Sequence, residues 1–252
     1  MQRNWTKDEL IAAFYLYCLT PFGRLHRGNP DIIALAKKLN RTPSALAMKM
    51  CNFASFDPFH QNRNIKGLVN AAKSDRIIWE EYHRNWDGLI DAYQQIQERL
   101  NLQEIEPKVS ESLILPQETE TTATVRIRLA QGFFRRSVLA NYNHHCAICR
   151  IEHPELLNAS HIVPWSVDSA KRADPQNGLS LCALHDRAFD RGLITFDEHY
   201  RLMLSRTIRK MEKIDMYKVG FLDREGQPLF LPDKFAPLPE ALTYHRTHLF
   251  KE

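Results

Sequence analysis

The chain has 252 residues, of which 44% are hydrophobic and 25% charged, a composition ordinary for a soluble globular protein of one large domain or two modest ones. No apolar run approaches the roughly 20 residues that span a bilayer. The segment Met1–Glu9 is polar and carries acids, unlike a signal peptide, so a cytoplasmic protein without a membrane partner is expected. The net charge of +4 is uneven: residues 1–100 carry 14 Lys and Arg against 10 acids, 101–125 one Lys against five Glu, and 126–145 four Arg and no acid. Two basic regions flanking an acidic one suit contact with a polyanion, although solvated surface charge accounts equally well for the pattern alone.

The first hundred residues read as helical. Asp8–Leu19 is an apolar-rich run behind a Thr6 cap, and Asp31–Leu39 repeats apolar residues at helical spacing. After a short break, Thr42 as N-cap and Pro43 as first residue start a third helix through Met50. Ser74–Leu100 reads as one long amphipathic helix. The segment 101–124, rich in Glu, Thr, Ser and Pro, reads as an acidic linker. Helix returns from about Val125 to Tyr142. Short strands follow at Leu157–Val163 and Gly178–Leu181, then a helix over Cys182–Arg191 stopped by Gly192. Strands at Leu193–Phe196 and Arg201–Leu204, a proline-marked loop and a helix from about Glu240 complete the chain.

Five cysteines, an odd number in a chain read as cytoplasmic, argue against a disulfide framework. Cys18 and Cys51 have apolar neighbours and read as core. The other three have a pattern. Cys146 and Cys149 form a CxxC pair, and thirty-three residues later Cys182 and His185 form a CxxH pair. Two such pairs supply four ligands for a tetrahedral zinc ion, and a site closed by four protein ligands is structural. The region between has too little apolar sequence for a large core, so zinc is expected to supply folding energy.

Zinc does not explain His161, which sits in a short strand, Asn177 just before the next strand, or Asp186 directly after His185. In order and spacing this set resembles the HNH endonuclease family, whose fold is a ββα-metal finger: CxxC, a strand with the first histidine, the asparagine, then a second ligand pair with the third motif residue behind it. Asp186 lies nine residues after Asn177, the usual interval of that family. The segment Asn177–Asp190 is similar to the zinc-containing subgroup found among restriction endonucleases, modification-dependent ones included, and the tail from His245 to Phe250 has the same likeness. The resemblance covers residues 125 to 252.

The resemblance implies a metal-dependent DNA endonuclease that hydrolyses phosphodiester bonds, with His161 as general base, a divalent cation (Mg²⁺ or Mn²⁺) held by Asp186, and Asn177 either orienting the His161 strand or joining the metal shell. Asp186 stands where many members have histidine; Asp190, one helical turn on, offers a second carboxylate. A rival assignment makes His185 the catalytic ligand and leaves zinc with three cysteines and His145 or His153. In the N-terminal part, residues 37–49 have the outline of a helix–turn–helix, so Arg41 and Lys49 are DNA-contact candidates and Arg63, Lys66 and Lys73 candidates for phosphates; a plain helical bundle is the alternative. The expected architecture is α+β: an all-α target-binding domain (1–100), an acidic linker (101–124) and a zinc-stabilised ββα-metal nuclease domain (125–252). A restriction or defence role follows from the resemblance. The alternatives are a non-catalytic zinc-containing DNA-binding regulator and a homing or recombination nuclease. One such site cuts one strand, so a double-strand cut would take a homodimer or two nicks.

Overall fold

A computed structural model of the chain describes residues 3–62, 72–100, 122–211 and 214–252. Arg63, Lys66 and nearly all of the expected linker 101–124 lie outside the described residues. The chain divides into two compact units, Met1–Phe133 and Phe134–Glu252.

The first unit is helical throughout its described residues: α1 (Lys7–Leu19), α2 (Pro30–Lys38), α3 (Pro43–Ala54), α4 (Pro58–Asn62), α5 (Lys73–Tyr82), α6 (Trp86–Leu100) and the first part of α7 (Thr122–Asn141). A capping box starts α1: the Thr6 side chain accepts from the Glu9 N–H, and the Glu9 carboxylate accepts from the Thr6 N–H. Every residue from Glu9 to Cys18 is buried, so α1 has no polar stripe and serves as the central helix, packed by α3, α5 and α6. Phe14 gathers the aromatic core, with ring centroids 5.0 Å from Phe53 and 5.6 Å from Trp79. The expected single helix Ser74–Leu100 is two helices. The chain turns at His83–Asn85, where the Asn85 side chain accepts from the Gly88 N–H and restarts the helix as α6. The apolar periodicity continues across the break because both helices face the same core, which is why it reads as one.

The second unit places the end of α7 against a hairpin of β1 (Leu157–His161) and β2 (Gly178–Cys182), followed by α8 (Ala183–Asp190). β1 and β2 are antiparallel in the register Leu157↔Cys182 to His161↔Gly178. Side chains alternate in a strand, so Leu157, Ala159 and His161 share one face with Cys182, Ser180 and Gly178, and Asn158 and Ser160 share the other with Leu181 and Leu179. α7 covers the first face, tightly enough that a Cβ on Gly178 would lie 2.4 Å from Val138 Cγ2 and 2.9 Å from Phe134 Cζ. α8 packs on the hairpin from the other side. A second antiparallel pair, β3 (Ile194–Phe196) and β4 (Leu202–Leu204), follows, then α9 (Arg206–Arg209), α10 (Asp215–Gly220) and α11 (Pro239–His248). The two short helices α9 and α10 have no counterpart in the sequence reading.

Gly192 ends α8 at φ +66°, and a Cβ there would strike the Leu249 carbonyl oxygen at 1.9 Å. The C-terminal tail thus lies directly on the end of α8, tied by the Lys251 N–H to the Gly192 carbonyl at 2.8 Å. His245 of α11 is buried in the same region: its ring stacks on Phe189 at 3.7 Å, Nε2 donates to the Phe189 carbonyl at 3.1 Å, and Nδ1 accepts from the Thr195 hydroxyl at 2.9 Å.

Candidate active site and metal centre

The turn after α7 folds back on itself as a knuckle. The Cys146 N–H reaches the Ile151 carbonyl (2.8 Å), and the Arg150 N–H reaches the Cys146 carbonyl (3.0 Å), with Arg150 at φ +66°. The Ile148 N–H points at the Cys146 sulfur (3.5 Å), and the Ala147 N–H is fixed to the Ser180 carbonyl of β2 at 2.7 Å. The knuckle is therefore held over the end of β2, where Cys182 and the first turn of α8 present the second pair. One ligand atom from each of Cys146, Cys149, Cys182 and His185 lies within 4.8 Å of the others. Cys149 Sγ is 3.7 Å from Cys182 Sγ, and His185 Nδ1 is 3.1 Å from Cys182 Sγ and 3.6 Å from Cys146 Sγ. Bonds of about 2.3 Å to sulfur and about 2.0 Å to nitrogen give a tetrahedron with edges of roughly 3.5–3.8 Å, so the four residues fit a zinc ion. His185 Nε2 donates to the Gly220 carbonyl at 2.8 Å, which leaves Nδ1 with its lone pair toward the sulfurs. Burial opposes charge on this ring, but the Cys146 and Cys182 sulfurs raise its pKa to about 10. Hydrogen bonds first from Cys149 and then from Cys182 hold the Cys146 thiol far below its usual value. The cluster thus binds protons where zinc would bind, and loading it releases them.

His161 ends β1 on the face covered by α7. Its ring stacks on Phe134, centroids 3.7 Å apart and planes 6° apart, and Nε2 donates to the Arg172 carbonyl at 2.9 Å. The carbonyl only accepts, so Nε2 carries the proton and Nδ1 is left as the basic nitrogen. Burial pushes the His161 pKa below the usual 6.5; the Arg172 carbonyl opposes this and the Arg172 charge adds to it. The ring is neutral near pH 7.

Asn177 is fully buried. Its Oδ1 accepts from the Val163 N–H (2.9 Å), its Nδ2 donates to the carbonyls of Val163 (3.0 Å) and Lys171 (3.3 Å), and its own carbonyl accepts from the Ile162 N–H (2.9 Å). Both side-chain polar atoms of Asn177 are thus used on the backbone that leaves β1 after His161.

Asp186 lies across the hairpin from the His161 ring. Its carboxylate accepts from the Asn158 amide at 2.7 Å and from the Ser160 hydroxyl, both on β1. The Asp190 carboxyl, one turn on, is raised by burial and then by the Asp186 charge. Two neighbouring carboxylates among amide and hydroxyl groups are a hard, oxygen-only donor set that fits Mg²⁺ or Mn²⁺. Among the described residues no hydrogen bond or ion pair joins His161 to Asp186; only the backbone of Ser160–His161 does. The sequence reading missed Asn158 and Ser160, for which only strand alternation gave a signal, and the part Arg172 plays in holding His161, for which there was none.

Of the N-terminal candidates, Arg41 and Lys49 are engaged within the helical bundle. The Arg41 side chain is 8% exposed: it bonds Glu9 through Nε (3.1 Å) and Nη2 (2.9 Å), the carbonyls of Arg3 and Asn4 (2.6 Å each), and lies 4.5 Å over the Trp5 ring. Lys49 is 13% exposed and paired at 2.9 Å with the fully buried Asp75. Both cations neutralise buried acids of the bundle. Lys73 lies in the first turn of α5.

Residues 146–197, from the first cysteine of the knuckle to the end of β3, match the family model described as HNH endonuclease. The matched segment holds all four zinc-type ligands together with His161, Asn177 and Asp186, and it places this module among the HNH endonucleases. The match supports a nuclease of the HNH kind, a phosphodiester hydrolase with DNA as its class of substrate. No curated protein matches the chain. Among the described residues no helix is long and apolar enough to cross a membrane.

Proposed function

We propose that the chain is a metal-dependent DNA endonuclease of the restriction or defence type, with His161 as general base, Asp186 as ligand of a divalent cation, Asn177 as the residue that positions the His161 strand, and a structural zinc on Cys146, Cys149, Cys182 and His185. The observation that carries the reading is the fixed tautomer of His161: a backbone carbonyl holds Nε2–H, Phe134 holds the ring plane, and Nδ1 is left to take a proton. His161 Nδ1 would deprotonate the water that attacks phosphorus, and the bond from phosphorus to the departing sugar oxygen breaks. Asp186, with Asp190 as second carboxylate, would hold a Mg²⁺ or Mn²⁺ ion, which would supply Lewis-acid charge stabilisation for the hydrolysis. The hairpin keeps the base and the carboxylates on opposite faces of a single strand, so the phosphate would sit at the β1 end where both faces open.

The helical unit would select the target, but through residues other than Arg41 and Lys49. A homodimer would serve for double-strand cuts.

Nicking of supercoiled plasmid by the zinc-loaded chain, with and without Mg²⁺ or Mn²⁺, tests this reading. The wild type should nick, and His161→Ala should not, while keeping its zinc and its melting temperature. With burial holding His161 below pH 6.5, cleavage should fall only at pH values under that point. Wild-type cleavage by His161→Ala overturns the mechanism; zinc-loaded wild type that binds DNA yet never nicks it supports the regulator instead.

A further inference from the structure

Arg172 lies in the loop between β1 and β2, and its two ends do different things. Its carbonyl holds the His161 ring at 2.9 Å. Its guanidinium lies 5.0 Å over the ring of Trp165, a residue 42% exposed on the same loop. Among the described residues this cation pairs with no carboxylate. The acids beside it in sequence have other partners: Asp168 accepts from the Ala170 N–H and faces Lys171 at 3.5 Å, and Asp174 accepts from the Gln176 N–H. Arg172 Nε is buried without a hydrogen-bond partner. A buried donor left unpaired is unfavourable, and such a group in a native structure calls for a reason. Among the described residues, the little-exposed cations Arg41 and Lys49 are each paired with an acid, Glu9 and Asp75.

A planar cation held over an indole ring is restricted in orientation. The guanidinium fork matches two oxygens of a phosphate. The hydrogen bond from His161 Nε2 to the Arg172 carbonyl makes Arg172 an immediate neighbour of the proposed base. We propose that Arg172 is a substrate-binding cation of the nuclease site, gripping a DNA backbone phosphate beside His161 while Trp165 holds its guanidinium in place. The assignment rests on the nuclease reading and adds to it a catalytic residue on the α7 side of the hairpin, away from the carboxylates. There the positive charge on the phosphate comes from the chain itself.

Substitution of Arg172 separates its two ends, because every variant keeps the backbone carbonyl that holds His161. The full zinc-loaded chain is compared as wild type, Arg172→Ala, Arg172→Lys and Arg172→Gln. Loss of one preorganised charge at a reacting phosphate lowers kcat by about 10²–10³-fold. Arg172→Ala and Arg172→Gln should show that loss with zinc content and melting temperature unchanged, and Arg172→Lys should recover part of it. Should Arg172→Ala fail to fold, Arg172→Gln carries the test, since its flat amide still covers Trp165. A second measurement needs no cleavage. In the His161→Ala background, the dependence of duplex-DNA affinity on salt should flatten by about one counterion when Arg172 becomes Gln. This arm reports on Arg172 even if the wild type never nicks DNA. Cleavage by Arg172→Gln within twofold of wild type, or an unchanged salt slope, overturns the proposal.

Discussion

His245 offers a quantitative test of how the second unit is held together. The ring is 1% exposed, stacked on Phe189 and bonded at both nitrogens, to the Phe189 carbonyl and the Thr195 hydroxyl. Burial lowers its pKa from 6.5 to about 4, against the opposing effect of the Phe189 carbonyl. The folded state therefore keeps His245 neutral where an unfolded chain would protonate it. Between pH 6.5 and about 4 the unfolded state binds more protons, so stability falls as pH falls through that window, and the loss is complete below about 4. At about 1.4 kcal/mol per pKa unit, the displacement corresponds to roughly 3 kcal/mol, a large part of the 5–15 kcal/mol typical of a domain.

Acid also strips zinc and charges His161, so the test is a difference between proteins. Hydrogen exchange of the α11 amides, corrected for the intrinsic pH dependence, is measured from pH 7 to 4.5 in wild type and in His245→Gln. Gln can still donate to the Phe189 carbonyl but has no proton to gain. The wild-type opening free energy should decline more steeply, by up to one bound proton, and the two curves should converge toward low pH. Parallel curves would show that His245 is not kept neutral by this packing, and the account of the C-terminal helix would fail.

The other expectations follow from the same geometry. Cys146→Ser should abolish stoichiometric zinc and unfold the second unit while circular dichroism of the first hundred residues persists, because zinc binding in small sites is worth about 10–16 kcal/mol of folding energy. Elemental analysis of the purified variant checks this. Gly178→Ala drives a methyl group against Val138 and Phe134 at 2.4 and 2.9 Å and should lower stability by about 1–3 kcal/mol. Because Phe134 carries the His161 ring, nicking should drop further than the melting temperature implies. Arg41→Ala removes one of the two cations on the buried carboxylate of Glu9, which keeps Arg3 and the Thr6 N–H, and should destabilise the first unit by about 1–3 kcal/mol. DNA affinity of the protein that remains folded should be unchanged, and a loss of affinity without loss of stability would return Arg41 to the interface.

Features set by local chemistry were legible in the sequence. The Thr6 and Thr42 caps begin helices in the structure, and the CxxC and CxxH spacings bring four ligand atoms together because two intervening residues turn both side chains of a pair to one side. What escaped was the use made of a residue by distant partners. Arg41 and Lys49 look like surface cations until Glu9 and Asp75 are seen buried beneath them. Periodicity could not show the break at His83–Asn85, since both helices bury the same kinds of residue. Strand alternation placed His161, but not the fact that Asn158 and Ser160 reach the α8 carboxylate. Arg172 carried no signal, because its role depends on a loop closing over the end of β1.

In the proposed assignment the neighbouring residues His185 and Asp186 would let a single short helix serve two metals. Successive helical side chains diverge by about 100°. His185, three residues beyond Cys182 and so nearly one turn on, comes round to the sulfur cluster, with Gly220 fixing its outer nitrogen. Asp186, one step further, turns away from the sulfurs to the amide and hydroxyl of β1. The donor chemistry divides the same way, sulfur and imidazole on one side and oxygen alone on the other, which separates zinc from magnesium or manganese by ligand preference as well as by position. If His185 were the catalytic ligand, Nδ1 would have to leave Cys146 and Cys182, and Nε2 would have to release the Gly220 carbonyl. The zinc cluster would then hold three sulfurs and need His145 or His153 as fourth ligand, yet the group of ligand atoms that gathers among the described residues contains neither, and His145 faces Glu152 at 3.1 Å and the Asn143 carbonyl at 2.7 Å. The placement of Asp186 on β1 therefore supports the assignment in which structural and catalytic metals share α8 and no ligand.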